Sequence, residues 1–373
     1  MPIVIQPYRE EHESAVREFN HRLKAATSDV DLVFYPRAAP HWLPRIEGSP
    51  LYNQYFVALE DGVVRGAYAL KFERFFLSGQ GEHAVAYYHH PLSEGIINRS
   101  YSSVGGLLLR DALSHEPLLY ALGMGGFDRP LPKMLRAMGW QMAPVPFYFK
   151  VIHPFRFLRQ MQALRGTLWK RCLMDLAAVS GAGWGAIKGT QGVKALIQNR
   201  ARSVSATQTE EFSEEAESLW LEARDDYRLT SARDVKTLSR LYPASDKELT
   251  KLEVSRHGRL IGWVVIGERR KDPKYGTLRV GSIVDCWAHP QDAIPVIRAA
   301  TRELQEQGMD LIVSNQSHAI WGDALKASGF FTAESNFLFA TSKALSTLLG
   351  PLPANLSSFH LNRSNGDGLP RNF

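Results

Sequence analysis

Apolar runs separated by glycine-containing turns recur along this chain. Residues 55–70 alternate in a way typical of two short strands, and Asp61-Gly62 lies between them. That dipeptide suits the positive φ angles of a tight hairpin turn. Residues 252–266 repeat the form, with His257-Gly258 at the turn. The pattern predicts one β-hairpin in each half of the chain.

The elements that follow each hairpin also repeat in order. An amphipathic helix comes first, then a short apolar strand, then a helix closed by a Gly-aromatic pair, then a last strand. In the first half these segments are residues 103–114, 118–124, 131–140 and 145–151; in the second half they are 295–307, 310–314, 321–330 and 336–341. The shared order predicts two domains of the same mixed kind.

This order of elements resembles that of the GNAT acyltransferase superfamily, in the tandem layout of Fem-type aminoacyl transferases and N-myristoyltransferases. The resemblance covers roughly residues 5–151 and 204–345. It implies an α/β fold of the mixed α+β kind, built from two GNAT-like domains in tandem. It also implies a central sheet that is splayed at one point, with acyl-coenzyme A in the splay. The boundaries that we predict are 1–152 for the first domain, 153–203 for a basic helical connector, 204–346 for the second domain and 347–373 for an extended or disordered tail.

A stretch of small and polar residues precedes the helix of the first half. Free backbone amides at a helix N-terminus bind phosphate well, and small residues let the phosphate approach the backbone. The stretch resembles the superfamily loop Gln/Arg-x-x-Gly-x-Gly/Ala, although Ser100 and Ser103 depart from that pattern and only Gly105 matches it. The resemblance implies acetyl-CoA or another acyl-CoA as co-substrate, with no metal. The residues expected to bind it are Tyr88, Arg99, Ser100, Ser102, Ser103, Val104, Gly105 and Gly106. An ordinary helix start with a glycine pair for close packing is the alternative.

The corresponding place in the second half, residues 289–295, has no glycine. Pro295 also removes one backbone donor there. We therefore expect only the first domain to hold an acyl-CoA, and the second to shape the acceptor pocket or to stabilise the pair.

Three titratable residues near the end of the predicted strand 84–95 are candidates for catalysis. Deprotonation of an amine acceptor calls for a group whose pKa is near neutrality, and His89, His90 and Glu94 are available. A solvated strand end is the alternative. The superfamily's tyrosine acid, about four residues before the Gly-aromatic pair, is replaced by Leu135 and Leu325. This absence argues against catalysis.

The glycine-rich segment 122–130 follows the strand that would form the other wall of the splay. Glycines there let a ligand or a second backbone come close, although a tight loop explains them equally well. Asp128 and Arg129 are the residues expected to orient a polar acceptor. Cys286, next to Trp287, is expected to be buried, which disfavours a Cys–His nucleophile.

Composition and charge narrow the class of protein. Hydrophobic residues make up 45% and charged residues 22% of 373 residues, which is typical of a globular chain. No run of apolar residues is long enough to cross a membrane, and the N-terminal residues lack the basic start and apolar core that are typical of a secretion signal. Two cysteines supply neither a disulfide framework nor a zinc site, so we expect a cytoplasmic protein with reduced thiols.

The net charge of +6 is concentrated in one place. Residues 151–202 hold nine Lys and Arg residues against one acidic residue, together with Trp169 and Trp184. Two interpretations stay open for residues 155–202. They form a linker helix whose basic side chains reach water, or a segment that binds an anionic membrane surface, which would place the protein peripherally at the inner membrane. No recognised binding motif accompanies the charge, which disfavours nucleic acid as a partner.

These observations lead to a first hypothesis, an acyl-CoA-dependent N- or O-acyltransferase. Its polar acceptor is a small molecule or glycan, such as a sugar or a lipid-linked cell-surface precursor. A non-catalytic GNAT-fold protein that binds a ligand or partner is the alternative. Transfer that depends on aminoacyl-tRNA is a weaker third hypothesis.

Overall fold

A computed structural model describes residues 2–26, 32–160, 204–269 and 276–366. The strands are β1 (Val4–Pro7), β2 (Tyr52–Glu60), β3 (Val63–Leu77), β4 (Gly81–Ser93), β5 (Leu119–Gly123), β6 (Gln141–Pro144), β7 (Phe147–Val151), β8 (Ser205–Thr209), β9 (Leu229–Ser231), β10 (Leu249–Arg256), β11 (Arg259–Glu268), β12 (Val280–Ala288), β13 (Leu311–Asn315), β14 (Phe331–Ala333), β15 (Leu338–Thr341) and β16 (Phe359–His360). The helices are α1 (Glu13–Ala26), α2 (Val104–His115), α3 (Pro130–Ala137), α4 (Pro154–Gln160), α5 (Glu214–Ala223), α6 (Val235–Leu241), α7 (Ala293–Glu306), α8 (Ala319–Ala327), α9 (Lys343–Leu349) and α10 (Leu352–Asn355).

The chain folds into two compact units that are not contiguous in sequence. Unit 1 comprises Met1–Phe76, Gly81–Ala143 and Leu338–Asn355, and unit 2 comprises Leu77–Gln80, Pro144–Phe337 and Leu356–Phe373. Each unit combines one mixed sheet with helices, so the predicted mixed α/β class is confirmed.

Both predicted hairpins are present. β2 pairs antiparallel with β3, and β10 pairs antiparallel with β11. Asp61 and Gly62 have φ angles of 51° and 78°, while His257 and Gly258 have 53° and 79°. These are the positive φ angles that a two-residue hairpin turn requires.

The two sheets differ from the linear boundaries 1–152 and 204–346 in one respect. In unit 1 the sheet order is β1-β2-β3-β4-β5-β15-β6, so β15 lies between β5 and β6. In unit 2 the order is β14-β7-β13-β12-β11-β10-β8, so β7 lies between β14 and β13. Each sheet therefore contains the last strand of the other half. A short apolar strand sequence specifies an extended, buried segment, but it does not specify which sheet edge that segment joins.

Helices cover the two faces of the unit 1 sheet in different ways. On one face α2 contributes Val104 and Leu108 to a core with Tyr68, Ala86 and Tyr88. On the other face α1 packs over the ends of β2 and β3 that lie near their hairpin turn, through Val16, Phe19 and Leu23. Successive strand residues point to opposite faces, so β4 contributes its alternate residues to each layer.

The predicted connector and tail are only partly within the described residues. Helix α4 begins the connector, and residues 161–203 lie outside the described part of the chain, as does most of the segment predicted to face a membrane. Among the described helices, none combines the length and apolar character needed to cross a bilayer. The described part of the tail is folded: residues 347–366 include the end of α9, then α10 and β16, and β16 is fully buried. The extended or disordered tail predicted for 347–373 is therefore corrected up to Gly366.

Ser342, directly after β15, forms hydrogen bonds to the start of β5 and to α9 within unit 1. Its backbone N–H donates to the Leu119 carbonyl at 2.9 Å. Its Oγ accepts from the Leu119 amide at 3.2 Å and from the Leu345 amide at 3.3 Å, and it donates to the Pro117 carbonyl at 2.7 Å. One hydroxyl thus caps α9 and satisfies polar groups at the start of β5.

We expect Ser342→Ala to lower the free energy of unfolding by about 2 kcal/mol, because it removes a helix cap and leaves the buried Leu119 amide without an acceptor. Urea unfolding at constant pH measures the change. Thr347→Ala on the exposed side of α9 is the matched control, and we expect a change within about 0.5 kcal/mol. Equal effects of the two substitutions would contradict the anchoring role.

Candidate functional site

The sheet of unit 1 opens between β4 and β5. These parallel strands pair only at Ala86–Leu119 and at Tyr87–Tyr120. Beyond that point the Tyr87 hydroxyl donates to the Leu122 carbonyl at 2.8 Å, so a side chain bridges the two strands. His90, with a φ of 53°, bends β4 out of regular strand geometry. The opening that the resemblance implied is present in this unit.

The N-terminus of α2 presents free backbone donors. The first helical hydrogen bond runs from the Leu107 amide to the Ser103 carbonyl at 3.1 Å. Within the described chain, the amides of residues 103–106 have no acceptor, and the Ser103 side chain does not cap the helix. A Cβ at Gly106 would meet no atom within 4 Å, so this position faces open space. Free amides and an open approach together fit the requirements of an anion such as a pyrophosphate.

The other residues expected to bind acyl-CoA lie at different depths. Arg99, Ser100 and Ser102 are exposed around the 3₁₀ turn Arg99–Tyr101, directly before α2. The Ser100 amide is already occupied, because it donates to Asn98 Oδ1 at 3.0 Å. Tyr88 is buried in the core on the α2 side of the sheet. The exposed Arg99 side chain adds positive charge beside the free amides, whereas Tyr88 forms part of the packed layer below them.

The three candidate catalytic residues have different environments. His90 Nε2 contacts the Val33 carbonyl at 2.6 Å, and its ring stacks on Phe34 at 5.9 Å. Glu94 is 5% exposed, and the guanidinium groups of Arg22 and Arg65 contact it at 3.1 and 3.0 Å. Both carboxylate oxygens of Glu94 are thus bonded to guanidinium groups. The structure thus gives His90 and Glu94 stabilising contacts.

His89 differs from both. Its ring stacks on Tyr87 with centroids 4.9 Å apart, and its Nε2 is buried without a hydrogen-bond partner among the described residues. Burial of the ring, with smaller contributions from His90 and Lys71, places the pKa of His89 well below its usual value. The imidazole is therefore neutral at physiological pH, and His89 lies beyond the last residue pair that joins β4 to β5.

The glycine-rich loop after β5 is strongly turned. Gly123, Met124, Gly125 and Gly126 all have positive φ angles. Asp128 and Arg129 follow the turn, are exposed, and lie directly before α3. The orientation of an acceptor by these two residues stays a prediction. Leu135 in α3 and Leu325 in α8 are fully buried, so each tyrosine position of the resemblance is a core position here.

A charged cluster on the other face of the same sheet lies outside the predicted site residues. Lys71 and Glu73 are nearly fully buried, and Lys71 Nζ lies 2.9 Å from Glu73 Oε1. The hydroxyl of Tyr120 donates a hydrogen bond to the same oxygen. The available signal was two charged residues, two positions apart, in a strand whose neighbours are apolar. Such a pair places both charges on one sheet face.

Unit 2 opens in the same way, but its own chain fills the opening. β12 and β13 pair over three residues, from Val280–Leu311 to Ser282–Val313. Beyond them, Asn362 Nδ2 donates to Asp285 Oδ1 at 2.7 Å, and Arg363 Nη1 donates to Asn315 Oδ1 at 2.7 Å. We call residues 356–366 the plug. Its buried side chains bond to both separated strands.

The α7 end of unit 2 is also unsuited to phosphate. Asp292 precedes the helix, where it pairs with Arg256 at 2.9 Å, and Pro295 has no amide to donate. Cys286 is fully buried, and burial together with the nearby Asp285 raises the pKa of its thiol, so the thiol stays protonated. Across the described ranges, no cluster of residues could hold a metal ion.

No protein-family model matches this sequence, and no curated protein matches it. Solved structures do match. A conserved protein of Enterococcus faecalis V583, described as a probable N-acyltransferase, aligns over 94% of this chain and 75% of its own, at 10% identity and a TM-score of 0.52. An N-myristoyltransferase of Saccharomyces cerevisiae, solved with bound myristoyl-CoA, aligns over 91% and 78%, at 9% identity and a TM-score of 0.53. The predicted tandem GNAT-like fold is confirmed, and it is a fold that acyl-CoA-dependent transferases use.

Two buried histidines of unit 2, His360 in the plug and His318 near it, are neutral at physiological pH. His360 is fully buried among the rings of Tyr227, Trp287 and Trp321, and neither of its ring nitrogens has a partner in the described chain. Burial places the pKa of His360 well below its usual value. It also lowers the pKa of His318 to about 4. In the unfolded chain both rings bind a proton below about pH 6.5, so acid favours unfolding.

We therefore expect the free energy of unfolding to fall as pH decreases from 7 to 5. In His360→Phe the slope should be shallower by about 1 kcal/mol per pH unit between pH 6 and 5, because one proton no longer binds on unfolding. Urea unfolding at several pH values measures the slope. His21→Phe on the exposed surface of α1 is the control and should leave it unchanged. An unchanged slope in His360→Phe would show that this ring is protonated when folded.

Proposed function

Starting from this tandem GNAT-like fold, we propose that unit 1 is an acyl-CoA-dependent N- or O-acyltransferase that acts on a polar acceptor. One observation carries the proposal: the free amides of residues 103–106 begin α2 in the same unit in which β4 and β5 separate after two residue pairs. A diphosphate and a thioester arm need those two features together. The strands of unit 2 also separate, but α7 begins with Asp292 and Pro295 and not with an open run of backbone amides.

The residues present fit an acyl-CoA. The amides of Ser103 to Gly106 would bind the pyrophosphate, and the exposed Arg99 would add charge. The gap beyond Tyr87 would admit the thioester arm next to β5. The acyl group, acetyl or longer, supplies the carbon that is transferred.

The transfer needs no further reactant. A lone pair on the acceptor nitrogen or oxygen attacks the thioester carbonyl carbon, a C–N or C–O bond forms, and the C–S bond breaks. The proton lost by the acceptor ends on the released thiol. A thiol with a pKa of about 8.5 is a tolerable leaving group at neutral pH, which is compatible with leucine at position 135. Among the three predicted catalytic residues, neutral His89 has a buried ring nitrogen without a partner among the described residues.

In this proposal unit 2 binds no second acyl-CoA. The plug occupies its strand opening, and Asp292 places a carboxylate at the start of α7. One acyl-CoA per chain follows. A sugar or lipid-linked acceptor, its orientation by Asp128 and Arg129, and an anionic membrane surface bound through residues 155–202 remain part of the proposal. Sedimentation with vesicles that contain anionic lipid tests the last of these.

A specific observation keeps a second function open. Both positions of the expected tyrosine acid hold fully buried leucines, Leu135 and Leu325. A unit that binds acyl-CoA without transferring it would have this composition. Binding without thiol release in the presence of any acceptor would favour this non-catalytic alternative.

We expect wild-type protein to bind acetyl-CoA with a stoichiometry of one in isothermal titration calorimetry, and Gly106→Glu to lose at least tenfold in affinity. The new side chain has space in the free protein, and a carboxylate in the first turn is compatible with the helix dipole. The variant should therefore fold as well as wild type. Its negative charge repels the pyrophosphate.

Ser114→Glu adds the same charge at the other end of α2, at an exposed position, and is the matched control. It should retain wild-type affinity. Equal affinity of Gly106→Glu and wild type would exclude the α2 amides as the phosphate site. Absence of any heat with millimolar acetyl-CoA would overturn the proposed function as a whole.

A further inference from the structure

One arginine contacts both of the 3₁₀ turns that lead from β4 to α2. Arg65 of β3 donates to Glu94 Oε2 at 3.0 Å, and Glu94 begins the first turn, Glu94–Ile96. The guanidinium carbon of Arg65 also lies 4.4 Å from the ring centroid of Tyr101, which ends the second turn, Arg99–Tyr101. Arg65 therefore joins the start and the end of the segment that leads to the free amides of α2.

Two more charged residues extend these contacts. Glu60, the last residue of β2, accepts from Arg65 Nε at 3.0 Å and from the Tyr101 hydroxyl at 2.8 Å, both through Oε2. The hydrogen bond from Tyr101 contributes most to a pKa of Glu60 below its usual value, and Arg65 lowers this pKa further, so the carboxylate is ionised at neutral pH. Arg22 of α1 donates to the other oxygen of Glu94 at 3.1 Å. We call Glu60, Arg65, Glu94 and Tyr101 the Arg65 network.

Gly95 lets the two turns pack in direct contact. A Cβ at this position would lie 2.6 Å from the Tyr101 carbonyl oxygen and 2.9 Å from Ser102 Cα. Gly95 does not have a positive φ angle, so the close approach, and not the backbone conformation, requires glycine here. The contacted atoms belong to the backbone, and a side chain at position 95 would therefore displace the chain directly before Ser103.

The position of residues 101 and 102 matters because the free amides follow them directly. The amides of residues 103–106 have no acceptor within the described chain, so no hydrogen bond of their own fixes their direction. An anion needs several amide nitrogens at about 2.7–3.2 Å from its oxygens. Donors that are already in place bind it without a further cost of ordering. The Arg65 network and the contact at Gly95 fix the chain directly before these donors.

We propose that Arg65 and Gly95 are positioning residues for the diphosphate of the acyl donor, because they hold residues 101 and 102 in the place from which the amides of residues 103–106 reach one anion. The proposal rests on the proposed function and adds to it residues that act through the loop before α2. Glu94, a predicted catalytic residue, is in this assignment part of the network that fixes that loop.

Calorimetric titration of the full chain with acetyl-CoA tests the assignment. We expect Gly95→Ala to bind at least tenfold more weakly than wild type, because the new methyl group displaces the Tyr101 carbonyl and Ser102. Gly106→Glu already removes the diphosphate contact, so adding Gly95→Ala to it should change the affinity less than twofold further. This double-mutant cycle separates an effect through the amides from a general loss of folding, which would be additive.

Arg65→Met is a second, independent variant, which removes the contacts that join the two turns. We expect at least a fivefold loss of acetyl-CoA affinity, and again less than twofold when Gly106→Glu is already present. Arg74→Met is the matched control, because Arg74 lies on the same strand and pairs with Glu82 outside the network. It should bind acetyl-CoA as wild type does. Urea unfolding of each variant ensures that folded proteins are compared.

Wild-type affinity in either folded variant would overturn the assignment of the residue that it replaces. An equal loss with and without Gly106→Glu would do the same, since it would assign the residue to folding alone. If Gly95→Ala does not fold, Arg65→Met decides the result. Absence of acetyl-CoA binding by the wild-type protein would instead overturn the proposed function.

Discussion

The functional architecture of unit 1 depends on the early end of backbone pairing between β4 and β5. Two residue pairs join these strands, and then the Tyr87 side chain bridges them instead of a strand amide. Three residues further along β4, His90 has a left-handed backbone with a φ of 53°. A backbone conformation that is costly for a non-glycine residue persists here because the His90 ring is held by Phe34 and the Val33 carbonyl. The free amides of α2 matter only because this opening lies in the same unit.

The two units show opposite uses of one geometry. In unit 2 the strands also separate after a short pairing, but Asn362 and Arg363 of the plug bond to both of them. Strand ends that separate expose polar backbone groups, which must be bonded to water, to a ligand or to another part of the chain. In unit 2 the chain itself meets this requirement. The plug therefore takes the place that a ligand would occupy in unit 1.

The buried charges of unit 1 complement the opening. A sheet face that packs on a helix is normally apolar, and the α1 side follows this rule through Val16, Phe19 and Leu23. The continuation of that face holds Lys71 and Glu73, whose side chains pair at 2.9 Å. Glu94, equally buried, has both oxygens bonded by arginines. Both buried glutamates are therefore bonded within the chain, Glu73 to Lys71 and Glu94 to Arg22 and Arg65.

The sequence alone determined the local structure. The positive-φ dipeptides Asp61-Gly62 and His257-Gly258 require turns, and the small residues before Val104 require an open helix start, because these features depend on neighbouring residues only. Tertiary structure decided the rest. The features that it decided join residues distant in sequence. They are the exchange of β7 and β15 between the sheets, the position of the plug, the pairing of Glu94 with Arg22 and Arg65, and the contact of Glu73 with Tyr120. The sequence of an apolar strand or the identity of a charged residue does not specify its partner, because the choice of partner depends on the free energy of the whole packed unit.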